Sequence, residues 1–453
     1  MSISIYTDSG GVCFVVMDTP PIVLEKRLQQ RYHTLIEQHL APMQTVATGL
    51  RALPNGTDTF AATQAAWRFF KNPKVTLPTL CQPLVDYAQA TLRRQETPDV
   101  LVVHDWCWLD FNAHTAKTDR MAHSHQKAQG YELASALAVC AHTGAPLAPL
   151  SLHLQTEQGV YSNRAVSRLP AAETHQDALL EQVAHVESLG LPARCVHVVD
   201  READSVAVFR AFAKNRQTCL IRGKHNQRAQ WSSRSMTLRQ IAAQVPFTFC
   251  RSVLYHGRPA LQYLAEAEIV LTRPYTKLRA GKAQTIPGPP VTLRLIISQV
   301  RRESGGVLAD WFLYTNVEDT VPAATIALWY YWRWQIESFH KLLKSSGWHI
   351  EGWQQESGFA LAKRLAVVAM AAVLVWAIAH SSDPQVQPLQ RLLVRFSGRQ
   401  MKASQPVTAP ALLAGLWTLF SALELIEQYP PEQLKQLAQQ ARTLLGGPGN
   451  ESV

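Results

Sequence analysis

The sequence predicts an α/β layer fold with a β-rich insertion and helical segments at both ends. Three patterns lead there. Short apolar runs at 99–106, 131–140, 146–154, 194–199 and 218–221 read as strands, and 173–189 and 202–214 between them read as helices. That order, three strands and then helix, strand, helix, strand, describes a layered sheet and not a sandwich. Between Gly223 and about Pro322 the character changes to strand-like runs at 253–255, 261–271, 291–300 and 311–315, interrupted by a basic Pro/Gly-rich loop at 273–290. Helical periodicity fills 24–94 and resumes after 322.

Taken in order, residues 1–23 alternate weakly and end in Pro20-Pro21. Leu28, Tyr32, Leu35 and Leu40 mark an amphipathic helix carrying Lys26, Arg27 and Arg31. Thr63–Lys71 forms another, with Trp67, Phe69 and Phe70, closed by Asn72-Pro73. A basic helical module of this kind suits DNA-end reading, and an ordinary helical subdomain has the same composition. Asp99–Trp106 is Val-rich, as buried strands are, and ends on Asp105; Arg194–Val199 likewise terminates on Asp200. The longest apolar stretch, Leu365–Ala379, is too short to span a bilayer and is rich in Ala, so it reads as a core helix. Helical segments at 385–396 and 408–427 follow a Ser-Ser-Asp-Pro break, and the end beyond Gly446 reads as frayed.

At 453 residues the chain is long enough for two or three units with a substantial core. With 47% hydrophobic and 17% charged residues it has a globular composition. The net charge of +10 is unevenly distributed: residues 210–302 hold 17 Lys or Arg against Glu266 and Glu268, so the remainder is net acidic. Concentrating one sign of charge points to a polyanion partner. Seven widely spaced cysteines without a Cys-x-x-Cys pair argue against a disulfide framework and fit a reducing cytosol. His104, His123, His125 and Cys107 lack zinc-ligand spacing. The opening residues have neither a basic n-region nor a sustained apolar run, so no secretory signal or membrane partner is expected.

The chemistry concentrates in Tyr330–Lys344, which has no Gly or Pro and reads as one helix. At 100° per residue, Tyr330, Arg333, Glu337 and Lys344 fall within a stripe of about 60°, spread over roughly 21 Å. One carboxylate, two cations and a phenol in a line suit a metal ion beside a phosphodiester. Asp105 and Asp200, at the carboxyl ends of apolar runs, are candidates to complete a site for two hard divalent cations. Asp110 and Asp204 are local rivals, and Asp200 is equally placed to cap a helix starting at Arg201.

These residues carry a resemblance. Tyr330-x2-Arg333-x3-Glu337-x6-Lys344 is similar to the Tyr-Arg-Glu-Lys signature of DDE transposases of bacterial insertion-sequence family four, the branch that includes the Tn-five transposase. Val198–Asp204 resembles the Asp-Arg-Glu-Ala-Asp segment around that family's second catalytic aspartate, and His104-Asp105-Trp106 stands where its first follows a strand. Gln64–Asn72, Ile221–His225 and Trp311–Thr315 extend the likeness, which covers about residues 24–380. The resemblance departs at Trp106, where the family has a small or hydroxyl residue, and at 1–23.

The resemblance implies a ribonuclease-H-like (retroviral-integrase-like) catalytic core at 95–222 and 323–380, interrupted by the basic insertion at 223–322. It places a helical DNA-binding region at 1–94 and a helical, dimerisation-candidate region at 381–453. The implied activity is cut-and-paste transposition by Mg²⁺-dependent nicking, hairpin formation and strand transfer, with two ions and Mn²⁺ as a substitute. Asp105, Asp200 and Glu337 would bind metal, while Tyr330, Arg333, Lys344, Arg222 and Lys224 hold phosphates. Trp311 and Trp334 would stack on a flipped base. Partners would be double-stranded transposon ends and target DNA, engaged by a homodimer in a bacterial cytoplasm and associated with the nucleoid when DNA is bound. A non-catalytic DNA-binding relative and a metal-dependent nuclease on the same fold are the alternatives.

Overall fold

The computed structural model describes residues 3–7, 13–17, 20–40, 56–123, 127–279, 282–399 and 407–444, so His125 and the end beyond Gly446 lie outside the described residues. A hairpin of β1 (Ile3–Thr7) and β2 (Cys13–Met17) precedes helices α1 (Lys26–Leu40), α2 (Gly56–Lys71) and α3 (Leu77–Gln95). Then come β3 (Asp99–Asp110), β4 (Met121–Ala122), β5 (Gln129–Cys140), β6 (Pro146–Thr156), β7 (Gly159–Ser162), α4 (His175–Ser188) and β8 (Arg194–Val199). After α5 (Val206–Lys214) and β9 (Thr218–Gly223) follow β10 (Arg228–Trp231), β11 (Arg234–Thr237), α6 (Leu238–Ala242), β12 (Thr248–Tyr255) and β13 (Arg258–Leu271). A second hairpin, β14 (Tyr275–Arg279) and β15 (Lys282–Ile286), leads to β16 (Val291–Arg301) and β17 (Val307–Thr315). Helices α7 (Ala323–Tyr331), α8 (Trp334–Leu343), α9 (Gly358–Ala379), α10 (Gln387–Phe396), α11 (Ala409–Gln428) and α12 (Pro431–Leu444) complete the chain.

The expected α/β layering is present as one large mixed sheet of 13 strands covered by helices. Its main path runs β11-β10-β13-β16-β17-β9-β8-β3-β5-β6-β7. Among the described residues, only β3–β8 and β8–β9 pair in parallel. The six residues Asp99–His104 are all buried, as parallel strands covered on both faces are. β10–β13, β16 and β17 of the 223–322 stretch continue this same sheet through the β17–β9 pairing, so they lengthen the layer that holds the aspartates, whereas β14 and β15 pair only with each other. The basic stretch at 273–290 is not an unstructured loop but contains the β14–β15 hairpin. Arg210 closes its base, donating to the carbonyls of Arg273, Gly288 and Pro289.

Alternation along β8 and β9 divides the interior in two. Val196, Val198 and Leu220 belong to one hydrophobic cluster, with α3, α8 and α9; Val199, Cys219 and Ile221 belong to the other, with α4 and α5. The apolar run read as core is the centre of α9, a 22-residue helix that is apolar all round and is packed against β6, α3 and α1. Its fully buried Arg364 stacks on Trp353 at 3.6 Å and meets His39 of α1 at 3.2 Å. Burial and that guanidinium push the His39 imidazole down to about 3, so it meets the cation as a neutral ring.

Candidate active site

Asp105 and Asp200 come together through strand register. The parallel pairing runs from Asp99↔Arg194 to Val103↔Val198. Continued two residues past the last pair, that register would bring Asp105 opposite Asp200. Asp105 is not a strand terminus, because β3 continues to Asp110 against β5; it lies two residues past Val103, where parallel pairing with β8 ends. Period-two alternation points Asp105 away from His104, whose ring is buried against Gln182 of α4, and toward the face covered by α7 and α8.

Tyr330–Lys344 is two helices and not one. At Trp332-Arg333 the ladder tightens to i→i−3 bonds, Arg333 N–H to Tyr330 O and Ile336 N–H to Arg333 O. The break has a visible cause in the β5–β6 turn. Gly144 there has φ +73° and lies under the Trp332 indole, so close that an added Cβ would be 2.4 Å from the ring. The turn is fastened to the break by Gln335 Nε2–H to Gly144 O at 2.8 Å and Trp329 Nε1–H to Ala141 O at 2.9 Å. Gly144→Ala is expected to lower the melting temperature by several degrees, since a left-handed non-glycine costs about 1–2 kcal/mol before the clash is counted. Unchanged thermal unfolding would show that the seat does not set the break.

The break aims Arg333 and Glu337 back at the strands. Arg333 Nη1 lies 3.2 Å from Asp105 Oδ2, and Nη2 lies 2.5 Å from Glu337 Oε1. Asp105 Oδ1 accepts the Trp106 N–H, and Asp200 Oδ1 accepts the Glu202 N–H at 2.8 Å. Asp200 therefore does cap the short 3-10 turn at 201–203, with the regular helix starting only at Val206, and this employs one of its two oxygens. Burial pushes the Asp105 carboxyl up to about 6; Arg333 and the Trp106 N–H pull it down, whereas Asp200 and Glu337 push it further up. Asp105 thus senses both of the other carboxylates.

A folded-state value above the usual carboxylate range favours folding while Asp105 is protonated. That contribution is complete below about pH 4 and is lost as pH rises through about 6. Asp105→Asn is accordingly expected to stabilise the fold by about 1–3 kcal/mol at pH 8 and not at pH 4. Thermal unfolding at the two pH values measures it, and equal melting shifts at both would contradict the raised carboxyl.

The remaining candidates divide. Tyr330 is 3% exposed, with Trp311 edge-on at 5.3 Å, so its hydroxyl faces protein and not solvent. Burial pushes its phenol up, Arg333 and Arg222 pull it down, and Asp200 pushes it up, which places Arg222 of β9 beside the same centre. Trp334 is exposed, with the Arg333 guanidinium carbon 5.6 Å from its ring. Lys224 is exposed where β9 ends, its N–H held by Asp204 Oδ2 at 2.7 Å; that is the task of the rival Asp204. Asp110 accepts the Asn112 N–H at the far end of β3, a turn role. Lys344 lies past the end of α8 and donates to Trp108 O at 2.8 Å and Glu351 at 2.9 Å. Glu351, which also accepts the Asp110 N–H, was not among the expected residues. It sits in a short 3-10 turn after Trp348-His349, and nothing in its local pattern marks it.

Three carboxylates beside a guanidinium form a hard-oxygen donor set whose chemistry fits a divalent cation such as Mg²⁺. As they stand they are not a closed ligand shell: among the described residues, no three His, Cys, Asp or Glu side chains converge tightly enough to hold an ion. Arg333, between Asp105 and Glu337, supplies the positive charge there.

No curated protein matches the chain. Among solved structures it is similar to a piggyBac transposase synaptic complex with hairpin DNA, at TM-score 0.32 and 8% identity, over 74% of this chain and 55% of that one. The chain thus spans about half the length of that protein. A model of the transposase DDE domain family matches residues 123–374, which takes in Asp200, Trp311, Arg333 and Glu337 and begins after Asp105. With more than half of its length matched, the chain belongs to the transposase DDE domain family.

Proposed function

We propose that this transposase performs cut-and-paste transposition of an insertion sequence of family four, with Asp105, Asp200 and Glu337 as its catalytic carboxylates. The observation that carries the reading is that Asp105 and Glu337 share the Arg333 guanidinium while Asp200, on the strand paired with β3, acts electrostatically on Asp105. Five strands around them, in the order β6-β5-β3-β8-β9 with only the last two junctions parallel, support a ribonuclease-H-like core. The rest of the sheet then reads as the insertion of that family.

In this mechanism the three carboxylates would hold one or two Mg²⁺ ions, which when bound activate the attacking oxygen and stabilise the leaving 3′ oxygen. The chain's own groups do the remainder. Arg333, Arg222 and Lys224 orient phosphates at the mouth of the site; a guanidinium matches two phosphate oxygens at once. Lys344 reaches a phosphate by leaving Glu351. Tyr330 supports Arg222 and Trp311 from beneath. Trp311, half-buried, and Trp334, exposed, offer ring faces to a base expelled from a tight DNA hairpin. The amino-terminal helices would read the transposon end, and the carboxyl-terminal helices would join two copies across paired ends.

The test is incubation with Mg²⁺ and a duplex ending in the inverted repeat that flanks the gene. Nicks at the repeat boundary followed by hairpin ends are expected. Cleavage that needs no divalent ion, or that survives loss of Glu337, overturns the proposal.

A further inference from the structure

Arg333 stands where a cation must stand if Asp105 and Glu337 are to be close. Its guanidinium bridges them at 3.2 and 2.5 Å, and its side chain is only 11% exposed. Its backbone sits at the α7–α8 break and is anchored by the Tyr330 carbonyl. A guanidinium cannot shed its proton at working pH, so this charge leaves only by moving. A divalent ion bound by the same two carboxylates would face that fixed positive charge a few ångströms away, a repulsion that a partly buried site screens poorly. A phosphodiester offers the guanidinium an alternative bidentate partner, and the exposed face of Trp334 lies within 5.6 Å of it.

We propose that Arg333 is a latch: without DNA it closes the site against divalent cations, and a DNA phosphate opens the site by drawing the guanidinium away. The proposal rests on reading Asp105, Asp200 and Glu337 as the metal carboxylates. Linkage makes the effect reciprocal, so DNA and metal each raise the affinity for the other by one common factor. The free protein would then carry little metal and would cut only where a phosphate already lies against Arg333.

Mn²⁺ binding to the full chain without DNA, read by the electron paramagnetic resonance signal of free Mn²⁺, tests this independently of cleavage. Arg333→Gln is expected to bind Mn²⁺ at least tenfold more tightly than the unaltered protein. Arg333→Lys, which keeps the charge, should stay within about threefold of it and shows that the change is one of charge and not of folding. Adding Glu337→Gln to Arg333→Gln should abolish the gain. If Mn²⁺ binding depends on Glu337 but Arg333→Gln binds no more tightly, the latch is wrong and the carboxylate site stands. If binding in every variant is indifferent to Glu337→Gln, the carboxylate reading itself fails, and the latch with it.

Discussion

Glu337→Gln is expected to reduce metal-dependent cleavage of transposon-end DNA at least a thousandfold while leaving DNA affinity within about threefold. The exchange keeps the shape of the side chain and removes one negative charge, so a folding defect is not the expected cause. What it removes is one of three charges on a divalent cation, and a thousandfold in rate corresponds to only about 4 kcal/mol of transition-state stabilisation. It also removes the stronger of the two ion pairs that hold Arg333, whose Nη2 lies 2.5 Å from Glu337 Oε1. DNA binding should not weaken, because deleting an anion beside the phosphates lowers repulsion. Nicking is followed on denaturing gels and binding by fluorescence anisotropy. Undiminished nicking would refute the assignment, and parallel loss of nicking and binding would move Glu337 to a structural role.

The second large effect is on affinity. Raising salt from 50 to 200 mM is expected to weaken DNA binding about a thousandfold if roughly six phosphates are neutralised. The structure reduces the 17 basic residues of 210–302 to fewer available ones. Arg210 closes the β14–β15 hairpin, Arg294 is held by Glu266 and the carbonyls of Val317, Glu318 and Val321, and Arg301 lies between Phe247 and Tyr263. Among the described residues, Lys214, Arg216, Lys224, Arg228, Arg234, Arg239, Arg258 and Arg302 remain exposed. Replacing Arg228, Arg234 and Arg239 together by Ala should lower the slope of log affinity against log salt by about 3. Salt-insensitive affinity would remove the segment from the DNA interface.

Local pattern carried much of the architecture. Apolar runs marked β3, β5, β6, β8 and β9 closely, since a strand buried on both faces has few residue types open to it. The Ala-rich apolar run read as core became α9, because a helix apolar on every side has to be enclosed. The candidate carboxylates were also legible, two beside apolar runs and one in a charged helical stretch.

Long-range packing decided the rest. Continuous helical propensity across Tyr330–Lys344 gives no sign of a break, because its cause is Gly144, nearly two hundred residues earlier, pressed against Trp332. That contact, more than helical spacing, is what turns Arg333 and Glu337 onto Asp105. Charge totals likewise cannot tell a free arginine from one bonded to carbonyls, so the count over 210–302 overstated the surface available to DNA. By itself the sequence determined the strands, the buried helix and the identities of the acidic residues, all of which follow from nearest-neighbour propensity and hydrophobic pattern. Only the tertiary structure decided that the strands carrying Asp105 and Asp200 pair in parallel and that Arg333 stands between Asp105 and Glu337, because these depend on groups 95 and 228 residues apart in the chain meeting in space.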